Sequence, residues 1–249
     1  GEIFSVVGKV HRLNVRSVDK RSERIRDMFA EIAPRYDLLN HVLSLGTHIY
    51  WRFRTVKSSR ALGAGPVLDL CCGTGDLTLA FWRHAGDRFP IIGADFCRPM
   101  LKLAKQKADR GHAGIQFVEA DGLHLPFPDG SFAVVAVAFG LRNMADTRRG
   151  LSEMVRVCRE GGEVMVLEFT MPTLFPLNLV YRIYFRFILP LIGQLLAPNR
   201  QAAYNYLPAS VFEFPQGASL LAEMERAGLK DLVAKPLTFG IATLYKGSK

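Results

Sequence analysis

Asp69, Gly73, Gly75, Asp76 and Asp95 have types and spacing suited to holding a nucleoside. Gly73-Thr-Gly75 cuts off a short apolar run, Val67, Leu68, Leu70 and Cys71, and Leu77, Leu79, Ala80 and Phe81 follow in a helical pattern. A strand that breaks through glycines into a helix lets a ligand approach the backbone and offers it unpaired N–H groups. The next apolar run, Ile91-Ile-Gly-Ala-Asp95, ends in an acid 20 residues beyond Gly75. That carboxylate is placed to accept hydrogen bonds from a ribose diol.

Two details argue against a dinucleotide. Thr78 stands where a third glycine belongs, and Asp76 puts negative charge where a pyrophosphate must lie. A cationic ligand with an adenosine and no phosphate fits better, and S-adenosylmethionine is of that kind. The competing reading is a plain α/β turn with solvated acids.

Strands and helices must position these groups. From Pro66 on they alternate, the pattern of a parallel sheet covered on both faces. Expected strands are Val67–Cys71, Ile91–Phe96, Ile115–Ala120, Phe132–Phe139, Glu163–Phe169, Leu232–Pro236 and Ile241–Tyr245. Expected helices include Pro99–Arg110, Thr147–Cys158 and Gly217–Gly228, with Glu160-Gly-Gly162 as a turn. Ahead of the sheet, Ile25, Met28, Phe29 and Ile32 have helical spacing up to Pro34. Tyr36-Asp-Leu-Leu-Asn40 reads as a turn, with Asn40 or Ser44 as helix caps, and Thr47 opens another helix. The chain thus divides into a helical cap, residues 1–62, and an α/β domain, residues 63–249, with an insertion at 172–214. Residues 1–17 show no period.

Within the insertion, Leu174–Ala197 is dense in Leu, Ile and Phe but is broken by Asn178, Arg182, Arg186 and Pro190. No run approaches the ~20 apolar residues of a membrane span. It reads either as a lid over a greasy ligand or as ordinary core helices. The lid is favoured, because the insertion leaves the carboxyl end of a strand, where ligand pockets form.

The 249 residues are about half apolar, enough for a sizeable core. Cys71, Cys72, Cys97 and Cys158 lack zinc-finger spacing and read as free thiols of a reducing compartment, and no metal site is expected. No leader-like apolar core opens the chain, so the expected location is cytoplasmic. The net charge is +9, and residues 1–60 hold 12 Lys and Arg against 6 Asp and Glu. Nucleic acid and an anionic membrane surface are the competing partners. No nucleic-acid module accompanies the basic residues, so nucleic acid is not expected.

Several blocks resemble known proteins. Asp69-Leu-Cys-Cys-Gly-Thr-Gly-Asp76, Gly93-Ala-Asp95 and Leu125-Pro-Phe-Pro-Asp-Gly-Ser-Phe132 resemble class I S-adenosylmethionine-dependent methyltransferases as a whole. Tyr36-Asp-Leu-Leu-Asn-His-Val-Leu-Ser44 with His48 and Trp51, and Arg156-Val-Cys-Arg-Glu-Gly-Gly162 running to Leu167-Glu-Phe-Thr170, resemble the two signatures of the quinone-biosynthesis C-methyltransferases. Phe139-Gly-Leu-Arg-Asn143 and Tyr206-Leu-Pro-Ala-Ser210 with Phe214-Pro215 are similar to further blocks of that family, and the likeness covers about residues 20 to 247. It implies a seven-stranded Rossmann-like α/β sheet with an N-terminal helical cap and a helical lid. It further implies methylation of a ring carbon of a polyprenylated quinol: demethylmenaquinol, the ubiquinone precursor, or a phytyl naphthoquinol. Such a substrate would place the enzyme at the inner membrane surface. Ala133, Ala138, Thr170 and Glu213 depart from the family's usual residues. Open alternatives are another apolar acceptor, such as a sterol or tocopherol precursor, and a non-catalytic scaffold of a quinone-biosynthesis complex. Homo-oligomerisation is also open.

The resemblance also implies roles for residues. The backbone of Gly73, Thr74 and Gly75 would contact S-adenosylmethionine, Asp95 the ribose, and Asp121 with Gly122 the adenine amino group. Asp69 would orient the turn or the ammonium. Phe96 and Met100 would pack on the adenine or belong to the core, and Ala138 stands where relatives place a small hydroxyl residue at the cofactor. Arg142 and Asn143 are the first candidates at the acceptor, where a guanidinium would stabilise a developing phenolate. Tyr36, Asp37 and Asn40 would close over the methyl group. Apart from the resemblance, His48 titrates near neutrality and is a candidate general base, with a helix-facing structural histidine as the competing reading, and Glu168 is a further base candidate.

Overall fold

The computed structural model describes residues 19–109, 114–196 and 203–249. Residues 1–17, His11, His112 and Ala197 lie outside the described residues.

Seven strands form one sheet: β1 (Val67–Leu70), β2 (Ile91–Asp95), β3 (Ile115–Glu119), β4 (Phe132–Ala138), β5 (Cys158–Phe169), β6 (Lys230–Leu237) and β7 (Ala242–Ser248). Their order is β3-β2-β1-β4-β5-β7-β6. β7 runs antiparallel to both β5 and β6, while β1 to β5 pair in parallel. Connections from β1 step outward through β2 to β3, and the chain then crosses back to β4 on the other side of β1. The crevice between the carboxyl ends of β1 and β4 is therefore the topological switch point, where such sheets bind ligands.

Alternation along the strands supplies both faces of the core. Val67, Val134, Ala136, Met165 and Leu167 turn towards α3 (Thr47–Ser58) and α4 (Asp76–Ala85), meeting Trp51 and Phe81. Leu68, Leu70, Val135, Val137, Val164 and Val166 turn towards α6 (Thr147–Val157) and α10 (Ala218–Arg226). All four residues of β1 are buried, as befits a central parallel strand covered on both sides.

The helices ahead of the sheet are α1 (Ser22–Ile32), α2 (Tyr36–Leu43) and α3. α1 packs Ile25, Met28 and Ile32 on Cys97 and Met100, the latter on α5 (Arg98–Ala108). Tyr36–Asn40, expected to be a turn, is helical. Pro34 sits in a 3-10 turn, Ala33–Arg35, that leads straight into α2. Asn40 is thus interior to a helix and caps nothing. The N-cap of α3 is Gly46, at φ +75°. Ser44 bridges the two helices, donating to the Asn40 carbonyl at 2.6 Å and accepting from His48 N at 3.4 Å. Glu160-Gly-Gly162 also differs from expectation: it bulges within β5, where the register jumps from Phe132↔Cys158 to Val134↔Glu163.

The insertion folds as α7 (Leu177–Ile183), a π turn over Tyr184–Ile188, α8 (Leu189–Leu196) and α9 (Ala203–Glu213). The first three run on without leaving helical backbone. Among the described residues, no helix is long and apolar enough to cross a membrane.

Candidate active site

At the end of β1 the backbone turns left-handed at Cys71 (φ +54°), Gly73 (φ +56°) and Gly75 (φ +81°). A Cβ on Gly75 would lie 3.1 Å from that of Ala104 and 3.3 Å from the Phe117 ring, so the turn admits only glycine there. Asp95 ends β2 with both carboxylate oxygens held by this backbone. Gly73 N and Cys97 N each donate to it at 2.8 Å. Burial outweighs these donors and pushes Asp95 up to about 6. Asp69 is buried too; Thr78 Oγ1 donates to it at 2.6 Å, and burial pushes it up to about 7. Thr78, standing in the third-glycine place, thus ties the start of α4 to β1.

Asp121 lies exposed beyond β3 and accepts from Leu123 N at 2.9 Å. A Cβ on the adjacent Gly122 would come within 2.7 Å of Met144 Cε. Phe96 is half-buried, whereas Met100 is fully buried under α1. Ala138 closes β4 and is half-buried.

Charges that sequence spacing did not connect fasten α2 and α3 to the glycine turn. Lys107 Nζ lies 2.6 Å from Asp37 Oδ2, 2.8 Å from Asp76 Oδ1 and 2.9 Å from Thr74 Oγ1. Thr74 Oγ1 donates to Asp37 Oδ1 at 2.6 Å, and Arg52 Nη1 lies 3.2 Å from Asp76 Oδ2. Asp76 therefore does not stand as a bare negative charge at the helix start. Lys107 and Arg52 are 31 and 24 residues from Asp76 in sequence, so only the fold reveals the pairing.

Beside the turn lies a cavity of about 480 Å3. Its wall includes an unbroken aromatic chain: Trp51 to Phe139 (5.8 Å between centroids), Phe139 to Phe169 (4.4 Å), Phe169 to Phe185 (6.2 Å) and Phe185 to Tyr181 (5.0 Å). Tyr36, Asn40, His48, Arg142 and Asn143 are among the polar residues that line it. Tyr36 joins cavity to turn, since a Cβ on Gly73 would lie 3.8 Å from its ring. Burial raises the Tyr36 hydroxyl pKa.

Arg142 and Asn143 lie in a 3-10 turn, Leu141–Asn143, beyond β4. The chain enters this turn through Phe139 at φ +58°, an uncommon conformation for a bulky residue. Gly140 is pressed so close to Cys71 that its Cβ would fall 2.4 Å from that of Cys71. Loops after β1 and β4 are thus locked together. Arg142 is buried, and its Nη1 donates to Glu168 Oε2 at 2.8 Å and to the Phe139 carbonyl. Its guanidinium stands 5.3 Å from the Phe169 ring centroid, and its Nε has no partner among the described residues. Asn143 Oδ1 accepts from Tyr206 OH at 3.1 Å. Glu168 is not the free base of the sequence reading. Its carboxylate is engaged by the Arg142 guanidinium and by Arg142 N at 3.2 Å.

His48 also differs from expectation. Burial first, and then the Arg52 guanidinium, pull it down to about 4 rather than leaving it near neutrality. Arg52 Nη1 donates to Nδ1, so the neutral ring carries its proton on Nε2, which is buried without a partner among the described residues. A histidine of this kind donates a hydrogen bond and is a weak base. The expected consequence is that His48→Asn leaves the pH–rate profile unshifted between about pH 6 and about pH 8. A limb moved within that window would restore the base.

Solved structures share this fold. A SAM-dependent methyltransferase from Thermotoga maritima, titled a possible histamine N-methyltransferase, superposes with a TM-score of 0.63 at 16% identity, covering 90% of this chain and 99% of its own. A putative methyltransferase solved in complex with the Haloferax volcanii Trm112 activator gives 0.63 at 16%, covering 88% and 96%. The fold is that of the class I methyltransferases. Residues 17–249 match the model of the ubiE/COQ5 methyltransferase family, and the chain belongs to that family. Similar relatives are the demethylmenaquinone methyltransferase of Thermus thermophilus, 46% identical over 89% of this chain and all of the relative, and the ubiquinone/menaquinone biosynthesis C-methyltransferase UbiE of Geobacter sulfurreducens, 42% identical over 97% and 94%.

Proposed function

We propose that the chain transfers a methyl group from S-adenosylmethionine to a ring carbon of a lipid-tailed quinol. One observation carries the reading: an aromatic cavity with a buried guanidinium adjoins a glycine turn whose buried acid is held by backbone alone. The names of the relatives support the same acceptor class.

S-adenosylmethionine fits the turn. Among the described residues Asp95 has no cationic partner to displace, and Lys107 and Arg52 are committed to Asp37 and Asp76 rather than free for a pyrophosphate. Gly73, Thr74 and Gly75 would hold it through backbone, Asp95 at the ribose, and Asp121 with Gly122 at the adenine, with Phe96 and Ala138 alongside. Met100 serves the packing of α1, and Asp69 orients α4 through Thr78. When bound, the cofactor supplies a methyl group on an electrophilic sulfonium. Because the Asp95 carboxyl protonates as pH falls through about 6, cofactor affinity is expected to be full above that value and to weaken below it. Asp95→Ala is expected to cost about 1.5–3 kcal/mol of binding. Calorimetric titration at about pH 8 and about pH 5 checks both. Unchanged affinity at both values in a folded variant would remove Asp95 from the site.

A quinol carbon becomes nucleophilic as its hydroxyl gives up a proton to solvent. Arg142 stabilises the resulting phenolate, and His48 Nε2–H and the Tyr36 hydroxyl are further donors lining the same cavity. As that carbon gains the methyl group the methyl–sulfur bond breaks, leaving a neutral thioether, and the hydrogen on the carbon is then lost as a proton to restore the aromatic ring. The aromatic walls exclude water and fix the ring, and such positioning contributes several kcal/mol, up to about 7–11 in ideal cases. Tyr181, Phe185 and Leu189 take the tail, which makes the insertion a lid. The four free thiols, Cys71, Cys72, Cys97 and Cys158, support a reducing, cytoplasmic setting. The test is a side-by-side methylation assay with demethylmenaquinol, the ubiquinone precursor and a phytyl naphthoquinol. Turnover with at least one is expected and with sterol or tocopherol precursors is not. Transfer confined to the latter would overturn the acceptor.

A further inference from the structure

Two stretches combine exposed apolar side chains with charge of one sign. Residues 38–68 contain no Asp or Glu, and neither do residues 169–212, although both carry arginines. Among the described residues, the large apolar side chains left exposed fall in these two stretches, all but Val233 and Phe239. In the insertion, Val180, Ile183, Phe187, Leu191 and Leu195 are exposed and recur every three or four residues, while Tyr181, Phe185 and Leu189 are buried on the inner side. A helix apolar on both sides has one side without a protein partner, and a continuous exposed stripe of this size marks an interaction surface.

The N-terminal helices add to the same surface. Leu45, 89% exposed between α2 and α3, lines the cavity together with Val42, so the cavity opens among these residues. Tyr184 OH donates to the Leu43 carbonyl at 2.6 Å, joining this rim to the insertion. Cations are set among the exposed aromatics: Arg54 lies 5.6 Å from the Tyr50 ring centroid, Lys57 5.7 Å from that of Phe53, and Arg186 5.6 Å from that of Phe187.

We propose that α2, α3 and the α7–α8 helix form a docking surface for an anionic lipid bilayer, onto which the cavity opens. Apolar side chains enter the acyl boundary while the interleaved cations meet the negative headgroups, the pattern of a helix lying in the interface. A lipid tail then passes from bilayer to cavity without crossing water. That route rests on the quinol reading; the docking does not. A second copy of the chain is a poorer occupant, because a two-fold contact sets these cations against themselves.

Vesicle sedimentation of the full chain tests the surface. Vesicles of phosphatidylcholine with phosphatidylglycerol are expected to bind the protein, less so at high salt, and phosphatidylcholine alone to bind it weakly. The triple variant Phe187→Ser, Leu191→Ser, Leu195→Ser, which spares the cavity lining, is expected to lose about tenfold or more in partitioning. Arg54→Gln with Lys57→Gln and Arg186→Gln should lose about as much, on anionic vesicles only. Circular dichroism of both variants confirms that they are folded. No binding by the wild type, or equal binding by the folded variants, would overturn the proposal. So would a concentration-dependent dimer abolished by the triple variant, which would give the face to a second copy. Vesicle binding without methylation of any quinol would uphold the docking and overturn the acceptor.

Discussion

Arg142→Ala is expected to lower kcat by about 100- to 1000-fold, comparable to losing one oxyanion donor. The guanidinium sits at the carboxyl end of β4, beside the strand carrying the glycine turn, and lines the cavity. Its interaction with an acceptor oxygen strengthens only as the hydroxyl ionises, so kcat should fall more than KM rises. Burial adds a second consequence. Glu168 is 1% exposed and loses its cation in this variant, and breaking such a buried pair costs about 3–5 kcal/mol of stability. The urea midpoint should therefore drop as well, and activity must be compared in variants that remain folded. Glu168→Gln separates the two effects: it also breaks the buried pair and should lose stability, but it keeps the guanidinium, so it should retain more kcat than Arg142→Ala. Arg142→Lys should recover only part, since an ammonium lacks the planar two-pronged donor. Wild-type-like kcat in folded Arg142→Ala would make the residue structural.

The second large effect concerns the tail. Phe185 is fully buried and lines the cavity with Tyr181 and Leu189. Each tail methylene buried there contributes about 0.8 kcal/mol, so a tail-less quinol should be poorer by about 100-fold or more in kcat/KM. Phe185→Ser should raise KM for tailed quinols and leave tail-less ones nearly unaffected. Equal rates for tailed and tail-less acceptors would return the insertion to ordinary core. Ile188, which the spacing pairs with Phe185, is not a suitable second probe. It is 44% exposed and lies off the cavity. In an uninterrupted α-helix 181, 185 and 188 share a face. The π turn over Tyr184–Ile188 resets that phase and brings Leu189 inward instead.

That contrast illustrates what sequence pattern could reveal here. The strand, glycine turn and acid were legible because they are read over about 30 consecutive residues, with fixed local geometry. Strand positions followed equally from continuous apolar runs such as Phe132–Ala138. Helix against turn in Tyr36–Asn40 was not decided by eight residues of mixed polarity, because packing of Leu39 supplies the missing preference. Pairings across long separations were invisible. Arg142 with Glu168, Lys107 with Asp37 and Asp76, and Arg52 with Asp76 each need the folded sheet to bring their elements together. The first of these revises Glu168 from base to counter-ion, while burial and Arg52, one turn along the same helix, revise His48 from base to donor.

Methyl-labelled S-adenosylmethionine, incubated with the purified chain and one demethylated lipid-tailed naphthoquinone in its reduced and oxidised forms, tests the central claim most directly. Label is expected on a ring carbon of the reduced quinol, with none on oxygen and none transferred to the oxidised quinone. Label on oxygen, or equal transfer to the oxidised form, would contradict a phenolate-driven carbon methylation beside Arg142.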